Sequence, residues 1–185
     1  MDEATPTGGR RVTSRSVPQW PDAAPAPPPA GRCWTVFDLA ARGTTARDWH
    51  RRLTVAGLDA ELVTVPEPQL TGWIEALPPA FGELASRRHV GWRVAAVGPE
   101  HAVLALRACA VEAGLMDAEL HLHADRRTHR RVYCPHCGAT TLAAGDRFRC
   151  AGCARTLLVH DHVSLSSGRY LGSVDTPDAA PGAAR

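Results

Sequence analysis

Hydrophobic and polar residues form alternating blocks that predict strands and helices in turn between Cys33 and about residue 125. The run CWTVFDLA predicts a buried strand, and GTTARDWHRRLTVAGL predicts a helix with Trp49, Leu53 and Leu58 at helical spacing. AELVTVP, GWRVAAVG and AELHLH predict three further strands. This alternation predicts a small α/β domain built on a parallel sheet, in three layers.

Proline marks two of the predicted helical segments. Pro99 stands where the helix over PEHAVLALRACAVEAG should begin, and Gly114 stands where it should end. Residues 69–86 are interrupted by proline, so the sequence predicts short helices there instead of a long one.

Both ends of the chain lack a period of 3.6 or of 2, and both are rich in Pro, Ala and Gly. Such segments bury too little apolar surface to offset their ordering entropy, so we expect disordered tails over residues 1–32 and 174–185. The α/β domain is then expected at residues 33–125. Residues 126–173 form a second domain, which is too short to be stabilised by apolar burial alone.

Composition excludes some functions and weakens others. The 185 residues are 44% hydrophobic, with no run long enough to span a membrane and no apolar leader after the acidic start MDEATPTGGRR. We therefore expect a cytoplasmic protein without a membrane partner. All 21 basic residues are arginine, but the net charge is only +2, so there is no strong electrostatic case for nucleic acid.

Four cysteines predict a metal site in the second domain. Cys134, Cys137, Cys150 and Cys153 follow the spacing C-x2-C-x12-C-x2-C, and each pair can turn two thiolates toward one ion. Four thiolates suit Zn(II) in a closed structural site, or iron in a rubredoxin-like centre. Ala154 stands where rubredoxins usually have glycine, which favours zinc.

The segment RTLLVHDHVSLSSGRYLG follows the second cysteine pair and predicts a long strand with a polar face that ends in an aromatic residue. Tyr and Arg commonly anchor interfaces, so this segment is a candidate partner-binding surface. Its candidate residues are Arg155, His160, His162, Arg169 and Tyr170. The His160 and His162 pair, like His121 and His123, could also ligate a second metal, although a polar strand face is the simpler interpretation.

The segment CPHCGATTLAAGDRFRCAGCARTLLVHDHVSLSSGRYLG resembles the C-terminal domain of the small DmmA-like subunit of dimethylamine (secondary-amine) monooxygenase, with its rubredoxin-like zinc ribbon. The resemblance implies an accessory subunit of an enzyme that demethylates dimethylamine to methylamine and formaldehyde. It also implies that haem belongs to a catalytic partner subunit, and that FMN and a 2Fe–2S cluster belong to a reductase partner that draws electrons from NADPH.

A second likeness covers WRVAAVGPEHAVLALRACAVEAGLMDAELHLH, which is similar to the terminal strand-Gly-Pro-helix-strand of ferredoxin-reductase nucleotide domains. Gly98 and Pro99 fall on the turn that approaches the nucleotide in that family, but the usual preceding cysteine is Val97 here. No glycine-rich phosphate loop follows the first strand. The likeness implies a degenerate nucleotide domain that is reused for docking.

Three hypotheses for function follow. The leading one is a non-catalytic subunit, with no catalytic or cofactor-binding residues of its own, that docks or stabilises the haem and reductase chains. The alternatives are a rubredoxin-like electron-transfer protein and a nucleic-acid-binding zinc ribbon. Metal analysis separates the first two, and a salt-dependent affinity for DNA or RNA is required by the third.

Overall fold

A computed structural model of the chain describes residues 16–175. Strands and helices alternate up to residue 126, and the elements after that are strands. In chain order the elements are β1 (Cys33–Leu39), α1 (Thr45–Val55), β2 (Asp59–Val65), α2 (Leu70–Ser86), β3 (Trp92–Pro99), α3 (Glu100–Glu112), β4 (Leu120–Arg126), β5 (Arg130–Tyr133), β6 (Thr140–Ala143), β7 (Arg147–Arg149), β8 (Thr156–Ser164) and β9 (Arg169–Val174). Short 3-10 turns lie at Glu67–Gln69 and Asp117–Glu119. Within the described chain, every helix is too short or too polar to cross a bilayer.

The first sheet has four parallel strands in the order β2-β1-β3-β4. One face, through Trp34, Val36 and Val97, packs on α1, and the other face packs on α2 and α3. Covering both faces explains why β1 and β3 are almost continuously apolar instead of alternating. The predicted α/β fold with a parallel sheet is confirmed.

Helix α2 differs from its prediction. The prediction of short helices over residues 69–86 is wrong, because one 17-residue helix runs through both Pro78 and Pro79. Prolines lack the backbone N–H and weaken a helix locally. In α2 this cost is offset by an apolar face that stays buried along the helix and consists of Leu70, Ile74, Leu77 and Phe81.

The second sheet has five strands in the order β6-β5-β9-β8-β7. It contains two antiparallel hairpins, β5–β6 and β7–β8, and β9 lies between them, parallel to β5 and antiparallel to β8. Each hairpin turn contains one of the two cysteine pairs. The C-terminal sheet therefore carries the cysteines in the arrangement that the sequence predicts.

Helix α3 joins the two sheets. Nine of its thirteen residues are buried, because the first sheet covers one side and the second sheet approaches the other. On the second side Leu104 shares an apolar cluster with Val132, Val163 and Tyr170. A β-carbon at Gly168 would lie 2.4 Å from the Leu104 carbonyl oxygen. Only glycine therefore fits in the β8–β9 turn where it meets α3.

The described part of the predicted N-terminal tail contacts the folded body. Trp20 packs against the clusters on both sides of α3, and its indole N–H donates to Glu100 Oε1 at 2.8 Å. Further contacts come from Val17 and Ala24, which pack on apolar clusters, and from the Pro25 carbonyl oxygen, which lies 2.8 Å from His121 Nε2. Residues 1–15 and 176–185 of the predicted tails lie outside the described residues.

The predicted division between residues 125 and 126 remains a prediction. Strand β4 ends at Arg126 and β9 ends at Val174, so each element extends one residue past the predicted bound.

Candidate metal centre and neighbouring surface

The four predicted cysteines lie together. The Sγ atoms of Cys134, Cys137, Cys150 and Cys153 are all within 4.8 Å of one another. The Cys134–Cys153 and Cys137–Cys150 sulfur distances are 3.9 and 3.6 Å. A tetrahedron with zinc–sulfur bonds of 2.3 Å has edges of about 3.8 Å. The four thiols could therefore hold one metal ion.

Both cysteine pairs are held by the same backbone hydrogen bonds. The Cys134 N–H donates to the Ala139 carbonyl, and the Gly138 N–H donates to the Cys134 carbonyl, each at 2.9 Å. In the second pair the Cys150 N–H donates to Arg155 and the Ala154 N–H donates to Cys150, again at 2.9 Å. The two turns are thus equivalent, and each presents two sulfur atoms toward the other.

One position in each turn has a left-handed backbone. Gly138 has φ +74° and the equivalent Ala154 has φ +58°. Glycine adopts this region freely, whereas a residue with a β-carbon is strained there by roughly 1–2 kcal/mol. The sequence difference from rubredoxins at Ala154 therefore leaves the turn geometry intact but strains the second turn.

Packing between the turns is close at Gly152. A β-carbon at this position would lie 2.7 Å from Ala139 Cβ and 3.0 Å from Cys137 Sγ. Side chains are therefore excluded from the place where the second turn crosses the first, and this allows the four sulfur atoms to converge.

The backbone also stabilises negative charge at the centre. Hydrogen bonds from the backbone N–H groups of Cys153 and Gly152 lower the pKa of the Cys150 thiol to about 6. Metal ions bind the thiolate, so a lowered pKa prepares this side chain for a metal at neutral pH. Cys134 and Cys150 are buried beside Leu157, and Cys137 is exposed.

The two other cysteines are separate from this centre. Cys33 on β1 and Cys109 on α3 are half-buried and pack against the core of the first sheet. Burial, with the charge of Glu112, raises the pKa of Cys109. Both thiols have the surroundings of small core residues, as predicted.

The histidine pairs do not form a second metal centre in the described chain, where the four cysteines are the one group of three or more suitable ligands. His160 Nε2 lies 2.7 Å from Ser173 Oγ, and His162 Nδ1 lies 3.1 Å from Ser16 Oγ. His121 packs edge-on against Trp49, while His123 is buried. The four histidines therefore lie in different environments and do not share a ligand site.

The segment around His160 and His162 projects from the sheet. The pairing of β8 with β9 shifts between Val159 and Val163, so that residues 160–162 face a single residue of β9. Such a bulge bends the strand and leaves its extra residues unpaired. His160, Asp161 and His162 are all exposed, instead of alternating as a regular strand would require.

The five candidate partner-binding residues fall into two groups in the structure. Arg155 and His160 are exposed, and His162, Arg169 and Tyr170 line one cavity of about 300 Å³. We call it the His162 cavity, and it is lined by Tyr133, His162, Ser164, Ser167, Arg169, Tyr170 and Leu171.

Within this cavity, Arg169 is half-buried, and its guanidinium stacks over the Tyr133 ring at 4.9 Å from the ring centroid. Tyr170 is only 4% exposed. Its hydroxyl donates to Glu100 Oε2 at 2.9 Å, so its polar end faces α3 instead of solvent.

Glu100 is the residue that the sequence analysis missed. Its side chain is 1% exposed, and it accepts hydrogen bonds from Trp20 and Tyr170 at the first turn of α3. A carboxylate is favoured at a helix N-terminus, and burial is tolerated because both oxygens are hydrogen-bonded. The sequence signal was Glu directly after Pro99, at the predicted start of the helix.

The turn that resembles a nucleotide-binding turn is filled by the protein itself. A β-carbon at Gly98 would lie 2.2 Å from the carbonyl oxygen of Leu39. Glycine is required there because β1 and β3 approach closely at their carboxyl ends, so the need for Gly98 is explained without a nucleotide.

Together, the parallel sheet and the cysteine-bearing sheet define an α/β protein with a zinc-ribbon-like C-terminal part. Residues 131–173 match a family described as dimethylamine monooxygenase subunit DmmA-like, C-terminal domain. The match runs from β5 into β9 and confirms the predicted resemblance over about a quarter of the chain. No curated protein and no solved structure shows a significant match to the chain.

Proposed function

We propose that the chain is an accessory, non-catalytic subunit of a multi-component dimethylamine monooxygenase. The observation that carries this proposal is the match of residues 131–173 to the C-terminal domain of the DmmA-like subunit family. Haem, FMN and a 2Fe–2S cluster belong, in this proposal, to a catalytic subunit and a reductase subunit with which the chain assembles.

In this proposal Cys134, Cys137, Cys150 and Cys153 bind one zinc ion as a structural centre. Zinc bound by four thiolates has no open coordination position, so it supplies folding free energy and no substrate site. The second sheet needs this contribution because its strands are short, with three residues in β7 and four in each of β5 and β6. The ion would fix the two hairpin turns to each other.

The His162 cavity and the bulge beside it form the proposed docking surface. Leu171 is 41% exposed at the cavity, next to the stacked Arg169 and Tyr133. An apolar side chain beside an arginine and an aromatic ring has the composition of an interface anchor. We expect a partner segment with an apolar side chain for the cavity and acidic side chains for Arg155 and Arg169.

Reconstitution tests the proposal. The chain is co-expressed with the genes adjacent to its own, purified through a tag on this chain, and assayed for NADPH-dependent formaldehyde release from dimethylamine. We expect haem and reductase subunits to co-purify, and activity to require them while the chain alone is inactive. Demethylation by the chain alone, or a complete assembly that is equally active without this chain, would overturn the proposal.

A further inference from the structure

A cleft separates α2 and α3 from the second sheet. The cleft has two parts, with volumes of about 340 and 230 Å³, and both are lined by Ile74 and Arg131. The larger part is lined by Thr71, Ile74, Glu75, His101, Arg131, Thr140, Thr141, Leu142 and Ala151. Cavities of this size suit a small organic ligand.

Arg131 lies in this cleft without a counter-ion. Its side chain is half-buried, and no hydrogen bond or ion pair joins it to another residue in the described chain. Burial and the neighbouring charge of Arg169 lower the pKa of Arg131, which shows that the environment disfavours the cation. Glu75 and Glu112 stand on the cleft walls, but neither forms an ion pair with Arg131.

The other half-buried arginines of the described chain all have partners. Arg88, Arg107, Arg126 and Arg130 form ion pairs, whereas Arg93 and Arg169 each donate a hydrogen bond and stack on an aromatic ring. Arg107 bonds to Asp117 at 2.7 Å, and Arg126 bonds to Asp125 at 3.1 Å. Buried charges in proteins are normally paired, because an isolated one retains its full desolvation cost. The Arg131 side chain has neither an ion pair nor a hydrogen bond among the described residues, and it lies at a concave site, so the missing partner points to a ligand.

A second polar group in the same cleft lacks a partner. His101, on the first turn of α3, is only 8% exposed, and its Nδ1 atom has no hydrogen-bond partner among the described residues. Buried ring nitrogens are ordinarily hydrogen-bonded. A ligand that reaches Arg131 would enter the cavity that His101 also lines.

The other residues that line the cleft determine which chemical groups a ligand could place beside its anionic group. Ile74, Leu142 and Ala151 supply apolar surface, and Leu142 is 45% exposed. Thr140 and Thr141 already accept hydrogen bonds, from Arg169 at 3.2 Å and from the Ala151 N–H at 3.1 Å. The two parts of the cleft thus offer the guanidinium groups of Arg131 and Arg169, the carboxylates of Glu75 and Glu112, and an apolar wall. Of the two guanidinium groups, Arg131 is the one without a hydrogen-bond partner among the described residues.

We propose that this cleft binds a small organic carboxylate, with the carboxylate on the Arg131 guanidinium, near His101, and the apolar part against Ile74 and Leu142. The planar guanidinium forms paired hydrogen bonds with a carboxylate, and this geometry favours the carboxylate over a neutral amide of the same shape. The inference does not depend on the dimethylamine assignment.

Calorimetric titration of the full, metal-loaded chain tests the proposal with benzoate and its neutral analogue benzamide. We expect benzoate to bind at least tenfold more tightly than benzamide. Arg131→Gln should weaken benzoate binding at least tenfold, while Arg149→Gln, which removes an exposed arginine of the same sheet, should leave it unchanged. Arg131→Lys keeps the charge and should give an intermediate affinity.

Equal binding of the two probes, or no binding of benzoate, would overturn the proposal. So would wild-type affinity in Arg131→Gln. If Arg131→Gln does not fold, Arg131→Lys decides the matter, because an unchanged affinity there would show that the planar guanidinium is not the recognition group.

Discussion

The Tyr170 hydroxyl donates a 2.9 Å hydrogen bond to Glu100 Oε2, and this bond joins the last strand of the cysteine-bearing sheet to the first turn of α3. The other oxygen of Glu100 accepts from Trp20, so one buried carboxylate connects the N-terminal segment, the α/β sheet and the C-terminal sheet. Burial, with the charge of Glu100, raises the pKa of Tyr170, so the hydroxyl remains a donor at neutral pH.

Removing the Tyr170 hydroxyl should therefore destabilise the whole chain. We expect Tyr170→Phe to lower the free energy of unfolding by about 1–3 kcal/mol, because Glu100 would lose one of its two donors while it stays buried. Urea unfolding followed by fluorescence measures this. The control is Tyr133→Phe, whose hydroxyl has no hydrogen-bond partner in the described chain, with an expected change within about 0.5 kcal/mol. Equal effects of the two variants would contradict the role of Glu100.

Metal binding should depend on the four clustered thiols and on neither of the other two. We expect Cys150→Ser to lose its bound metal, since three remaining thiolates cannot close the tetrahedral site. Cys109→Ser removes a half-buried thiol outside the centre and should keep its zinc. Elemental analysis of both variants is the measurement. Zinc retained by Cys150→Ser would refute the proposed ligand set.

Loss of the metal should increase local unfolding in the second sheet and at the ends of α3, but not throughout the first sheet. That sheet has two apolar clusters of its own, whereas the outer side of α3 at Leu104 packs on the second sheet. In Cys150→Ser we expect faster amide hydrogen exchange in β5 to β9 and at the ends of α3, with β1 and β3 still protected. Uniform loss of protection would show that the two parts unfold as one unit.

The strained turn residue offers a gain of stability. Ala154→Gly should raise the resistance of the metal centre to a chelator by roughly 1 kcal/mol, because glycine removes the cost of a left-handed alanine. Gly138→Ala makes the reverse change at the equivalent position, where a β-carbon would meet nothing within 4 Å, and should lower resistance by a similar amount. Chelator competition measures both. Changes of the same sign would show that conformational strain does not control these turns.

The proposed docking surface can be tested without touching the buried Tyr170. We expect the double variant His162→Ala with Leu171→Ser to weaken association with the larger subunits at least tenfold while zinc content stays unchanged. Val55→Ser, at an 83% exposed position on α1, is the control and should assemble normally. Light scattering or calorimetry of purified components provides the affinities. If Val55→Ser is the weaker variant, the docking surface lies on the α/β domain.

Acid should destabilise the protein partly through His101. Burial, with the charges of His129, Arg126 and Arg131, lowers the pKa of His101 to about 4. The unfolded chain then binds a proton at His101 near pH 6.5 while the folded chain does not, so stability falls as the pH drops from 6.5 toward 4. Between pH 7 and pH 5 the wild type should lose about 2 kcal/mol more than His101→Gln. His89→Gln, at an exposed histidine, should behave as the wild type.

Local patterns allowed much of the fold to be predicted from sequence. The buried strands appear in the sequence as apolar runs, and Pro99 and Gly114 mark the two ends of α3. The cysteine spacing identified the four thiols that lie together and could hold a metal ion. Each of these signals is contained within a few neighbouring residues, so the rest of the fold is not needed to interpret it.

Features that depend on distant contacts were missed. Helix α2 continues through Pro78 and Pro79 because its buried face holds it against the sheet. Trp20 and Tyr170 are fixed by Glu100, from which they are separated by 80 and 70 residues. Neither the hydrophobic periodicity nor the composition of a segment indicates which distant residues its side chains will contact. The bulge at residues 160–162 likewise arises from the pairing of β8 with β9.

Native mass spectrometry of the complex purified through this chain tests the central claim most directly, because one spectrum reports both the bound metal and the partners. We expect the chain to carry one zinc ion and to be associated with haem-bearing and reductase subunits. A chain that carries iron and remains alone in the presence of those subunits would contradict the account and favour an independent electron carrier.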